Sequence, residues 1–172
     1  SEVEKIINGE SQNVIFNITP GSGKTEIFSI HMSPYASLKS RKVRNLNLSF
    51  SDGLVQQNSN RIKEIIGSPE WQELWPGKLA KASAKDLIVT EGGKVKLQVN
   101  SRSIGGQVTG LRGGYMDDGF TGMLVLDDPD KPDDMLSKVK REAIHMRLKN
   151  TVRSRRMKDT TPIVMVQQRL HV

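Results

Sequence analysis

The stretch Thr19-Pro20-Gly21-Ser22-Gly23-Lys24-Thr25 sets two glycines, a lysine and a hydroxyl in one order. It follows a short apolar run and precedes a segment of helical content. Glycines let successive backbone N–H groups turn inward around phosphate oxygens. A helix starting here adds the partial positive charge of its N-terminus. Lys24 would then reach the β- and γ-phosphates of a nucleotide, and the Thr25 hydroxyl would hold Mg2+. Pro20, Gly21, Ser22, Gly23, Lys24 and Thr25 are therefore the expected nucleotide-binding residues. The first glycine of the common G-x-x-x-x-G-K-[ST] pattern would fall at position 18, which is Ile18. The loop is thus expected to enter differently, with Pro20 stiffening the turn.

Hydrolysis of a bound triphosphate also needs a carboxylate near Mg2+ and a group to align the attacking water. Met123-Leu-Val-Leu-Asp127-Asp128 is an apolar run closed by two acids. Asp127 would stand by the metal with Thr25. Asp128 takes the place of a water-activating base, where many such enzymes carry the longer glutamate. The competing reading is a β-turn, since Asp-Asp-Pro-Asp is good turn chemistry. An arginine can stabilise charge on the transferred phosphoryl group. Arg112, in Gly110-Leu-Arg-Gly-Gly, is the first candidate, and Arg102, in Ser101-Arg-Ser-Ile-Gly-Gly, competes with it. Gln167 ends the apolar run after the acidic one. It could sense the γ-phosphate from the C-terminal edge of a parallel sheet, where ligands bind, with Gln168 and Arg169 extending the polar cluster. His31, His145 and His171 show no metal spacing. Trp71 and Trp75 stand at helical spacing and read as core or interface, with stacking on a base as the less favoured alternative.

These residues need a scaffold that brings distant segments to one edge. Strands are expected at 13–18, 45–50, 122–126 and 162–166, from short apolar or alternating runs closed by turn residues. Helices are expected at 25–36, from Ser51 or Asp52 to Gly67-Ser68-Pro69, and at 133–152. Residues 87–90 and 95–99 flank Gly92-Gly93 as a hairpin. Residues 105–122 are glycine-rich and read as irregular. Alternating strands and helices predict a single α/β domain with a mostly parallel central sheet flanked by helices. The chain stops directly after a strand with no closing helix, so a piece of a longer protein is expected.

Composition narrows the field further. Leu, Ile, Val and Phe make up 45 of 172 residues, enough for a packed core and above the level of a disordered chain. With no cysteine, disulfide scaffolds and zinc–cysteine sites are excluded. No apolar run approaches the roughly 20 residues a membrane helix needs, and the first residues do not read as a signal peptide. Lys plus Arg outnumber Asp plus Glu by 26 to 19, a net charge of +7 that favours an anionic partner. Seven aspartates fall between 117 and 134, including Asp130, Asp133 and Asp134. Nine basic residues and a single acid, Glu142, fall between 138 and 158. That basic stretch reads equally as a solvated helix face or as a surface that touches phosphates.

Four stretches in order carry a resemblance. They are Phe16-Asn-Ile-Thr-Pro-Gly-Ser-Gly-Lys-Thr25, Ser101-Arg-Ser-Ile-Gly-Gly-Gln-Val-Thr-Gly-Leu-Arg112, Gly122-Met-Leu-Val-Leu-Asp-Asp-Pro-Asp-Lys-Pro132 and Thr161-Pro-Ile-Val-Met-Val-Gln-Gln-Arg-Leu-His171. Together they resemble the ATPase part of bacteriophage large terminase subunits, the motors that package viral DNA. Members of that family often lack the first loop glycine, in line with Ile18. The resemblance implies a P-loop NTPase fold of the ASCE type over residues 1–172, without the family's C-terminal nuclease. It implies ATP and Mg2+ as cofactors, held by Lys24, Thr25 and Asp127, with Asp128 as the catalytic acid. It implies Arg112 as a finger inserted by a neighbouring subunit, and Gln167 and Gln168 as a coupling motif. The implied partners are double-stranded DNA, further copies in a ring, the portal protein and the small terminase subunit, with no membrane. The implied location is the host-cell cytoplasm, transiently on the procapsid. By the same resemblance the segment before Glu4 is shorter than usual, which leaves the adenine contacts in question. Two other readings stay open: another P-loop DNA motor such as a helicase, or a binding module whose nucleotide acts as a switch without turnover.

Overall fold

The structure, a computed structural model, describes residues 1–130 and 137–168. Asp133, Asp134, Arg169, His171 and the start of the helix expected from 133 lie outside the described residues, as does the side chain of Arg147. Seven strands form one sheet in the order β1-β7-β6-β2-β5-β4-β3. The strands are β1 (Asn13–Asn17), β2 (Val43–Ser49), β3 (Lys78–Ala82), β4 (Asp86–Glu91), β5 (Lys94–Ser103), β6 (Leu124–Asp127) and β7 (Ile163–Gln167). The pairs from β1 across to β5 are all parallel, while β4 and β3 add antiparallel at the far side. The expected α/β architecture with a mostly parallel sheet is therefore present.

Parallel neighbours need crossover connections, and the helices supply them. α1 (Glu2–Ile7) is capped by Ser1, whose side chain accepts from the Glu4 N–H. A π-helical stretch, Glu26–His31, runs into α2 (Met32–Lys39). The sequence predicts a helix ending at 36 with Pro34 near its end. The observed helix instead continues to Lys39, with a wide turn ahead of the proline. Pro34 has no N–H to offer the Ile30 carbonyl and its ring crowds that group, and a widened turn accommodates both. α3 (Asp52–Gly67) buries Val55, Ser59, Ile62 and Ile66 on one stripe. Pro69 then holds Ser68 extended, and Ser68 caps α4 (Pro69–Leu74). α5 (Lys138–Arg155) lies on the opposite sheet face.

The core divides along the strand pleat. Val125, Val164 and Val166 pack with Ile6, Phe28 and Met32 on one face. Leu124 and Leu126 pack with Leu46, Leu48, Ile104 and Leu148 on the other. A third cluster, with Ile62, Ile66, Val89 and Leu97, includes Trp75, and Trp71 packs edge-to-face against Trp75 at 6.0 Å. The tryptophans are thus core, not a base-stacking platform. β3, α1 and α4 were not predicted. β3 is exposed along its whole length, so no buried face marks it in the sequence.

Two features of this scaffold have measurable consequences. Gly122 enters β6 at φ +131°, and a Cβ there would lie inside van der Waals contact with the Arg44 carbonyl. Gly122→Ala should lower stability by more than about 3 kcal/mol in urea unfolding, because backbone must move on both sides. Asp86 accepts from Asn100 and Arg102 at 2.9 and 2.8 Å and from Lys81 at 3.1 Å. Burial alone would raise its pKa, but these donors lower it to about 2. A depressed carboxylate stabilises the fold above its unfolded pKa and loses that contribution as pH falls through the folded one. Wild type should therefore exceed Asp86→Asn by roughly 2 kcal/mol at pH 7. The gap should close between about pH 4 and pH 2.

Candidate active site

β1 and β6 both end at the same edge of the sheet, and β7 lies between them. Asn17 pairs with Gln167, and Asp127 with Val166. The loop after β1 and the acids after β6 therefore face each other across one strand. The loop is open to solvent at Pro20, Gly21 and Ser22. Gly21 and Gly23 have φ +78° and +76°, and neither would bring a Cβ within 4 Å of anything. Backbone handedness, not crowding, requires glycine here. Ser22 Oγ donates to the Thr19 carbonyl at 2.7 Å and closes the turn.

Lys24 is only 5% exposed. Its Nζ donates to Asp128 Oδ1 at 2.8 Å, and the same oxygen accepts from the backbone N–H of Gln168 at 3.1 Å. Asp128 sits at φ +41°, alone among described non-glycine residues in having positive φ. That conformation is costly for an L-residue and concentrates at functional sites. The Asp128 N–H still donates to the Val166 carbonyl at 2.8 Å, which fixes the turn while the carboxylate swings toward Lys24.

Asp127, buried at 6% exposure, accepts from Thr25 Oγ1 at 3.3 Å on Oδ1. On Oδ2 it accepts from Ser29 Oγ at 2.7 Å and Asn58 Nδ2 at 3.4 Å. Burial pushes its carboxyl above the usual range, and the neighbouring Asp128 charge adds to this. Ser29, Thr25 and Lys24 pull it back. Among the described residues no three His, Cys, Asp or Glu side chains gather as a metal cage. The hard oxygens of Thr25 and Asp127, side by side, instead suit Mg2+ that takes its remaining ligands from phosphate and water.

The other expected site residues fall elsewhere. Gln167 lies on the sheet face of Ile163 and Met165, opposite Asp127, and its amide donates to Asn17 Oδ1 at 2.9 Å. From this strand end the site receives the Gln168 backbone N–H rather than the Gln167 side chain. Arg102 is at the correct sheet edge, but its guanidinium is committed to Asp86 Oδ1 and to the Lys85 and Ser101 carbonyls. Arg112 is exposed, 4.0 Å from the Met157 sulfur. Its neighbours Gly113 and Gly114 bond to the Arg155 and Arg44 carbonyls, at the beginning of β2. Arg112 is therefore at the opposite end of the strands from Lys24, at least the length of β6 away, roughly 13 Å at about 3.3 Å per residue. Sequence reading missed Ser29 and Asn58. Ser29 could have been found, because it falls four residues after Thr25 on the same helix, whereas Asn58 has no sequence signal.

No protein-family model matches the chain, and no curated protein matches it in sequence. Solved structures do match. The large terminase of bacteriophage HK97 aligns with a TM-score of 0.55 at 13% identity, over 96% of this chain and 32% of that one. The large terminase of a thermophilic bacteriophage aligns with a TM-score of 0.52 at 11% identity, over 97% and 38%. The same thermophilic phage protein in complex with ADP gives 0.50, again at 11% identity and over 97% and 38%. The chain thus spans about a third of the length of these structures. At these identities the likeness is one of fold, and this chain shares the fold of the aligned third of the bacteriophage large terminases.

Proposed function

We propose that this chain is the ATPase motor domain of a viral large terminase subunit, hydrolysing ATP with Mg2+ to drive double-stranded DNA into a procapsid. The observation that carries the reading is the convergence of Lys24 and Thr25 with Asp127 and Asp128 at one sheet edge. Glycine-shaped backbone at 21–23 and the helix start behind it would cradle the phosphates. Thr25 and Asp127 would hold Mg2+, which when bound would neutralise charge on the β- and γ-oxygens. Lys24 would leave Asp128 for the γ-phosphate. Asp128, released, would orient the attacking water and accept its proton. Its departure would also free the Gln168 N–H, giving the segment after β7 a direct sense of the site. Arg112, at the far end of the strands, would act on the nucleotide of an adjacent copy in a ring. The portal protein and small terminase subunit are the further partners of this reading, and the host cytoplasm its setting. Exposed Lys138, Lys149 and Arg153 make α5 the candidate DNA surface.

The reading is tested by measuring ATP hydrolysis at high protein concentration. Lys24→Ala and Asp128→Asn should each lose roughly 100-fold or more. Equal, background-level rates in wild type and both variants would favour a nucleotide switch without turnover. Asp128→Asn should at the same time bind ATP about tenfold more tightly, about 1.4 kcal/mol, because Lys24 no longer has to leave a carboxylate. For DNA, log affinity should fall linearly with log salt, and Lys149→Ala with Arg153→Ala should reduce the slope by about 2. A flat salt response would remove phosphate contacts from the reading.

A further inference from the structure

The Asp127 carboxylate is gripped on both oxygens by three side chains, two from the helix that follows the loop and one from α3. Oδ1 accepts from Thr25 Oγ1, while Oδ2 accepts from Ser29 Oγ at 2.7 Å and Asn58 Nδ2 at 3.4 Å. Of these donors only Thr25 belongs to the phosphate-loop pattern. Ser29 is 1% exposed, and its backbone carbonyl accepts from Asn47 Nδ2 of β2 at 3.2 Å. A serine inside a helix commonly returns its hydroxyl to the carbonyl four residues back. Ser29 instead donates its hydrogen bond to a carboxylate on another element. It does so from the π-helical stretch, a rare geometry found at functional sites.

We propose that Ser29, assisted by Asn58, is a positioning residue for the metal-side carboxylate. The two donors hold Oδ2, so Oδ1 stays turned toward the Thr25 hydroxyl, where Mg2+ would be shared. A terminal carboxylate torsion is otherwise broad, so donors on Oδ2 fix which oxygen faces Thr25. The O–H···O contact at 2.7 Å supplies a charge-assisted bond to the oxygen that the metal would not use. The inference rests on the nucleotide-site reading above and extends it to a residue outside the loop and acidic motifs.

The test is calorimetric titration of ADP, with and without Mg2+, into wild type, Ser29→Ala, Ser29→Thr and Asn58→Ala. Ser29→Ala should weaken the Mg2+-dependent part of binding about tenfold, the usual scale for groups that orient a metal ligand. Metal-free ADP binding should be unchanged, and Ser29→Thr, which keeps the hydroxyl, should recover most of the loss. A loss below about threefold, or an equal loss with and without Mg2+, overturns the proposal. If Ser29→Ala melts early, half-exposed Asn58→Ala decides. A Mg2+-selective loss there supports the proposal, and its absence overturns it. A wild type that binds no ADP overturns the nucleotide reading and this inference with it. A wild type that binds while its variants match it overturns the inference alone.

Discussion

An ammonium group with only 5% exposure has little water around it and needs a partner within the fold, and Lys24 is in that position. Its partner, Asp128, is supplied from 104 residues away by a backbone twisted into the left-handed region. This one ion pair ties the loop after β1 to the end of β6, and through the Gln168 N–H to β7. The parallel order of those three strands has meaning because it delivers the two charges to one place. Under the proposed function the same contact would have to break, because each member would be needed elsewhere once a triphosphate arrives. The lysine of the loop is thus paired with the group that, in the proposed function, would orient water.

Much of this was legible in the residues. The loop, the acidic strand end and the parallel half of the sheet follow from short apolar runs closed by glycine or aspartate. The hairpin follows from two such runs around Gly92-Gly93. What escaped did so for physical reasons. β3 carries no apolar alternation, because neither of its faces is buried. The π-helical turn answers to Pro34, whose effect depends on a packed context that no local propensity conveys. Side-chain direction was less accessible still. Gln167 was expected at the phosphate edge and is there by register, yet pleat parity sends its amide to Asn17 on the opposite face.

The two arginines show how position and availability separate. Arg102 ends on the catalytic edge, but Asp86 holds it in a network whose low pKa marks a structural ion pair. Arg112 is free of carboxylates among the described contacts and faces solvent at the far end of the strands. One is near and committed, the other distant and exposed. Of these two arginines, neither places an uncommitted guanidinium at the edge that carries Lys24 and Asp127.

The strand order also dictates when the site can come into being. β4 and β5 are joined by a two-residue turn and can pair as soon as both are made, whereas β1 finds its neighbour only in β7, with Asn17 meeting Gln167 across 150 residues. Closing so long a loop carries the heaviest entropic charge in the topology, and pairings of high contact order form slowly. The antiparallel half rests on local pairing, whereas the edge that carries Lys24 and Asp127 rests on the pairing most distant in sequence. The proposed nucleotide site is therefore assembled only once β7 has joined β1.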